Sequence, residues 1–201
     1  MDELRSRFVS TLLGFCAASL GQREDPPGSN LGPQIERYLR GWLDRYGKQY
    51  LGGARWCGLF AEYHVRAAYD AVDAICPISN AYWLGASSQW LLMGKKNGWL
   101  VETPEPGDIG VLVREGSPVH TCIVRSLDRG LVYSVDGNSS DRVRNNARPL
   151  SPDVFGGFVR LPVVSARPRS REPLGPLLPE PSPPPDPPSP GADRGTPPPG
   201  A

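Results

Sequence analysis

The sequence predicts an α+β fold in which N-terminal helices pack on an antiparallel β-meander, and two observations carry that reading. Apolar residues recur at three- and four-residue steps as far as about residue 92, and after Pro104-Glu105-Pro106-Gly107 they form short extended runs bounded by turn residues. Helical and extended segments are also segregated along the chain, without the β-α-β alternation of a parallel sheet. A third feature sets the boundary. Of 24 prolines, 14 lie at or beyond Pro168, in a stretch with almost no aromatic or β-branched residue to bury. Such a segment cannot offset its ordering entropy and is expected to be a disordered or polyproline-like linker or solvated end. Residues 1–165 are therefore the predicted domain, large enough for one core, and 166–201 the disordered proline-rich tail.

In the first helix Leu4, Phe8, Leu12, Phe15 and Ala18 share a face, and Gly21 ends it. This segment does not read as a signal peptide, because Asp2 and Glu3 stand where basic residues are required and Ser10, Thr11 and Ser19 interrupt a short apolar stretch. Phe15 is too bulky to precede a lipoprotein cysteine at Cys16. No run approaches the length of a membrane span, so the expectation is a protein retained in the cytoplasm unless other machinery delivers it. Gln22 to Gly32 is a polar loop, and Ser29 or Asn30 is placed to cap a second helix with Pro33 in its first turn and Ile35, Tyr38, Leu39 and Trp42 inward. Lys48 to Ala54 is a glycine-bearing loop. From Cys57 to about Val72, Leu59, Phe60, Tyr63, Ala67 and Ala68 repeat with helical period, and Trp83 to Leu92 reads as a fourth helix.

The extended runs Asp108 to Arg114, Val119 to Ser126 and Leu131 to Asp136 are separated by turns at Glu115-Gly116-Ser117-Pro118 and Leu127-Asp128-Arg129-Gly130. A last strand, about Phe155 to Leu161, is placed to close the sheet. Net charge is +1, and the tail's four Arg are balanced by two Asp and two Glu, so charge gives no case for a nucleic-acid or membrane-surface partner. Cys16, Cys57, Cys76 and Cys122 lack metal-ligand spacing and only two histidines exist, so neither a structural zinc nor any other metal or cofactor is expected. A domain of this size does not need disulfides. A monomer is expected, with Cys16 and Cys76 as small buried residues.

Trp56-Cys57-Gly58-Leu59-Phe60 places a cysteine at a helix N-terminus, where unpaired N–H groups and the positive end of the helix dipole favour thiolate over thiol. The same N–H groups suit the oxyanion formed by attack on an amide carbonyl. Trp56 is expected to wall the site, and Gly58 to leave room for substrate beside the sulfur. Alternation sets His120, Cys122 and Val124 on one strand face and Ser134, Asp136 and Asn138 on a face of the next. Either Asp136 or Asn138 then reaches His120, accepts its Nδ1–H and leaves Nε2 toward the thiol. His64 lies seven residues after Cys57 on the same helix, about 10 Å along the axis, and is read as structural or surface.

These pieces, with Pro106-Gly107-Asp108 opening a strand, His120-Thr121-Cys122-Ile123-Val124 in the next and Val135-Asp136-Gly137-Asn138 closing the third, resemble the CHAP family of cysteine, histidine-dependent amidohydrolases/peptidases, within the NlpC-type papain-like superfamily. The segments Gly21 to Glu24 and Gly32 to Leu39 are similar to the N-terminal part of phage-type cell-wall hydrolases, and the resemblance spans about residues 5 to 162. It implies a papain-like fold and hydrolysis of an amide in peptidoglycan, by an N-acetylmuramoyl-L-alanine amidase or a stem-peptide endopeptidase. Cys57 would be nucleophile, His120 general base and then acid, Asp136 the acidic orienter and Asn138 a second polar partner. Gln49 or Tyr50 would complete the oxyanion site. Where the family usually has glycine two residues after the histidine, this chain has Cys122. The partners this reading implies are peptidoglycan or a peptide substrate, with delivery machinery or an immunity protein as further candidates. The alternatives from the sequence are an intracellular thiol protease or deamidase acting on proteins, and an inactive interaction module.

Overall fold

The computed structural model of the chain describes residues 2–46 and 55–166. Gln49, Tyr50, the Trp42 side chain and the proline-rich segment after residue 166 lie outside the described residues. Four helices, α1 (Glu3–Ala18), α2 (Pro33–Tyr46), α3 (Cys57–Ala71) and α4 (Ser87–Asn97), precede a six-stranded antiparallel sheet. Its strands are β1 (Leu100–Val101), β2 (Ile109–Arg114), β3 (Ser117–Asp128), β4 (Leu131–Asp136), β5 (Arg144–Pro149) and β6 (Phe155–Val159), in the spatial order β1-β6-β2-β3-β4-β5. The domain is α+β.

Helix α1 is started by the Asp2 carboxylate, which accepts from the Leu4 N–H at 2.9 Å, and it buries Phe8, Val9, Leu12 and Cys16. Neither Ser29 nor Asn30 caps α2. The residue before Pro33 is Gly32, whose carbonyl accepts from the Glu36 N–H at 2.8 Å, while the Ser29 hydroxyl accepts from the Leu31 N–H within the loop. Helix α3 is central and buries residues around most of its circumference, Phe60, Ala61, Val65, Ala68 and Tyr69 among them. Helix α4 starts four residues later than the periodicity predicts, because Trp83 to Ala86 turn against the first turn of α3 before Ser87 begins the helix.

Strand β5, whose sequence Arg144-Asn145-Asn146-Ala147-Arg148-Pro149 has no apolar alternation, is formed by pairing with β4 in continuous register from Leu131↔Pro149 to Asp136↔Arg144. The expected closing strand is present as β6, inserted between β1 and β2. Alternation divides the sheet. Ile109, Val111, Ile123, Val135 and Val159 face the helices in the main core, whereas Cys122, Val124, Val132, Phe155 and Phe158 form a smaller cluster on the other face. Asp108 has no exposed surface and accepts from Arg5 on α1 at 3.2 Å, from Arg160 at 2.8 Å and from the Glu105 N–H at 2.8 Å. The Pro106-Gly107-Asp108 motif thus ties the first helix to both flanks of β2, a charge-assisted lock on the sheet.

Candidate active site

Cys57 is the first residue of α3, and no side chain caps that helix. Its side chain is almost fully buried. The Thr121 hydroxyl donates to Ser87 Oγ at 2.9 Å, and Ser87 Oγ lies 4.0 Å from Cys57 Sγ. With its oxygen accepting from Thr121, Ser87 is left to donate its own proton toward the sulfur. Burial alone would raise the thiol pKa, but a hydrogen bond and charge from His120, a backbone hydrogen bond from Thr121 and the Ser87 hydroxyl together bring it below its ordinary value.

His120 lies where the β2–β3 register slips: Leu112 pairs with His120 and the next pair is Val113↔Pro118, leaving Val119 as the extra residue of a bulge. Its Nε2 is 2.9 Å from Asp136 Oδ2. The orienting bond is therefore made by Nε2, the reverse of the expected tautomer geometry, and Nδ1 is the nitrogen left for the thiol. Burial would lower the imidazole pKa, but hydrogen bonds to Asp136 and Cys57 and the charges of both push it up to about 9. The two shifts together favour thiolate at Cys57 and imidazolium at His120.

Asp136 is fully buried at the end of β4. It accepts from the Ser134 hydroxyl at 2.6 Å and from Arg148 Nη2 at 2.6 Å, and Arg148 Nη1 also donates to Ser134 Oγ at 3.1 Å. Burial would raise its pKa, but His120 first and Arg148 second hold the carboxyl below the usual range. Arg148 therefore stands behind the orienter as a positioning residue. Nothing in the primary sequence singles it out, because its strand was not predicted; a register extending β4 to a further neighbour is the signal that would find it. Ser87 and Thr121 were missed for the same kind of reason, since their contact spans 34 residues.

Three predicted roles change. Asn138 does not bond His120: the chain leaves β4 at Asp136, and Asn138 has φ 56°, so the two-residue alternation no longer applies. Its side chain is 2.9 Å from that of Asn30. Oriented by its hydrogen bonds, its amide oxygen accepts from the Trp56 N–H at 3.1 Å and its nitrogen donates to Glu24 Oε1 at 3.3 Å. Trp56 does not wall the cleft. It is completely buried, stacked on Tyr38 with ring centroids 5.8 Å apart, and its indole N–H donates to Glu24 Oε1 at 2.9 Å. Gly58 does not make room for substrate, because a Cβ there would lie 2.1 Å from the Leu84 carbonyl oxygen, so it is required by packing. Gly137 has a similar constraint: a Cβ would meet Phe60 Cβ at 2.5 Å and Trp56 at 2.9 Å, which seats the turn after Asp136 directly on the start of α3.

Glu24 has a structural role that sequence reading did not find. Buried to 2% exposure, it also accepts from the Asn30 N–H at 2.8 Å and so joins the 22–32 loop, the entry to α3 and the turn after β4. His64 is buried rather than on the surface. Its Nδ1–H donates to the Phe60 carbonyl at 2.9 Å, Ser19 Oγ is 3.0 Å from Nε2, and burial depresses its pKa to about 4 despite the Phe60 bond. The four cysteines are unpaired, and among the described residues no group of three or more His, Cys, Asp or Glu could hold a metal ion. No described helix is long and apolar enough to cross a membrane.

The Cys57–His120 pair opens into a cleft of about 290 Å³ lined by Asn30, Arg55, Cys57, Val119, His120, Asn138 and Asp141. The larger cavities, about 530 Å³ each, lie against the β1–β6 edge and against the 21–34 loop, away from this chemistry. No protein-family model matches the sequence, and no curated protein or solved structure matches it.

Proposed function

We propose that the chain is a cysteine amidohydrolase of CHAP, papain-like type that cleaves an amide bond of peptidoglycan, as an N-acetylmuramoyl-L-alanine amidase or a stem-peptide endopeptidase. The observation that carries the reading is the chain of contacts Arg148–Asp136–His120–Cys57, with the carboxyl and thiol held below and the imidazole above their ordinary pKa values. Peptidoglycan as the source of the amide rests on the sequence resemblance.

In the first half-reaction the Cys57 thiolate attacks the carbonyl carbon and forms a C–S bond, and the carbonyl oxygen becomes an oxyanion beside the N–H groups that open α3. His120 then gives its Nδ1 proton to the amide nitrogen, the C–N bond breaks and the amine departs, leaving a thioester. In the second, His120 takes a proton from water, hydroxide adds to the thioester carbon, and the acid is released with return of the thiolate. Asp136 stays ionised and holds the ring throughout. The test is incubation of purified protein with isolated sacculi, with separation of the soluble fragments and identification of the new amine. Release by the native chain and none by Cys57→Ala is expected; no release, or equal release by the variant, refutes the proposal.

A further inference from the structure

A second cavity, about 330 Å³, adjoins the cleft and shares Arg55, Val119, His120 and Asn138 with it. The two make one groove that passes over His120. Their charges differ. The lining of the Cys57 lobe includes both Arg55 and Asp141, whereas the second lobe is lined by Arg55, Arg114 and Arg148 with Leu112 and the 138–140 turn and contains no Asp or Glu. Arg148 is neutralised by Asp136. Among the described residues Arg55 and Arg114 have no ion pair, so the second lobe carries two uncompensated guanidinium groups.

We infer that this lobe is a carboxylate subsite and that it receives the departing half of the substrate. The side assignment rests on the proposed function and follows from its proton transfer: His120 must stand beside the amide nitrogen to protonate it, so the groove beyond His120, on the side without Cys57, holds the amine product. Two guanidinium forks match a carboxylate in shape and charge. The substrate class is an amide whose amine portion bears a free carboxylate close to the scissile nitrogen, such as an amino acid or short peptide ending in one.

The experiment compares alkylation of Cys57 in the full chain by iodoacetate and by iodoacetamide, reagents that differ in a carboxylate. The iodoacetate/iodoacetamide rate ratio is expected to fall about fivefold in Arg55→Gln/Arg114→Gln, the size of two exposed ion-pair contributions. His120 is retained in both proteins and its charge cancels from the comparison. An unchanged ratio overturns the inference. A second measurement does not need a reactive thiol: glutarate is titrated into Cys57→Ala while the His120 ring protons are followed by NMR. Saturable shifts that disappear in Arg55→Gln/Arg114→Gln support the subsite, and shifts that persist or never occur overturn it. An unreactive Cys57 with intact, arginine-dependent glutarate binding would refute the proposed chemistry and leave the subsite standing.

Discussion

The sharpest expected outcome concerns removal of His120. A thiol with the ordinary pKa of 9.0 is about one per cent ionised at pH 7. Each unit by which the pair lowers Cys57 raises the thiolate fraction tenfold and costs about threefold in intrinsic nucleophilicity, so the net gain is about threefold per unit until ionisation is complete. Cys57 should therefore react with iodoacetamide at pH 7 up to about tenfold faster than free cysteine, with an advantage that widens as pH falls. His120→Gln removes the main favourable cause and leaves burial, which pushes the thiol up, so the rate should lose the whole native advantage and fall below that of free cysteine, with its midpoint moved above the native one. The assay is a pH series of alkylation rates with peptide mass spectrometry. The other cysteines give a silent background, because burial raises Cys76 and Cys122 and pushes Cys16 up to about 12. A native-chain midpoint near 9, or a His120→Gln rate equal to native, refutes the ion pair.

Gly58→Ala drives a Cβ against the Leu84 backbone oxygen and should cost about 2–4 kcal/mol, a fall in Tm of about 10 °C by calorimetry; full stability with lost alkylation would restore a substrate role. His64 is held at about 4 against an ordinary 6.5. Its depressed folded value means that the contribution is complete above pH 6.5 and is lost as pH falls toward 4, about 3 kcal/mol in all. Urea titrations at pH 7 and pH 4.5 should show most of that loss in the native chain and a flatter dependence in His64→Gln. Glu24→Gln replaces one acceptor oxygen by a donor facing N–H groups and should destabilise the domain by about 2–3 kcal/mol in denaturant melts, and an unchanged midpoint would dissolve the three-way junction described above.

What the sequence made legible was local. Helix periodicity located α1 and α3, distance along one helix removed His64, and two-residue alternation put Ser134 and Asp136 on the face that meets His120. The readings that failed depend on contacts no local rule encodes. Alternation was carried past Asp136 to Asn138, although a strand rule ends where the strand does. Trp56 was placed by its neighbour in sequence, whereas a large indole is drawn to Tyr38, Phe60 and the Glu24 carboxylate. Strand β5 has no pattern of its own because its backbone pairing, rather than side-chain burial, defines it. The His120 nitrogen that meets the acid depends on ring orientation beside a bulge, below the level of residue spacing.

The place of β6 has a consequence for biosynthesis. This strand is the last of the domain to leave the ribosome, yet it lies inside the sheet, with β1 on one side and β2 on the other. Until residue 159 has emerged, β2 is an open edge and the two-residue β1 has no partner in the sheet. Every residue of the proposed triad is synthesised before that closure. The nascent chain thus carries its proposed nucleophile on an unfinished scaffold, and the wait is set by translation of the 18 residues from Gly137 to Val154 and of β6 itself.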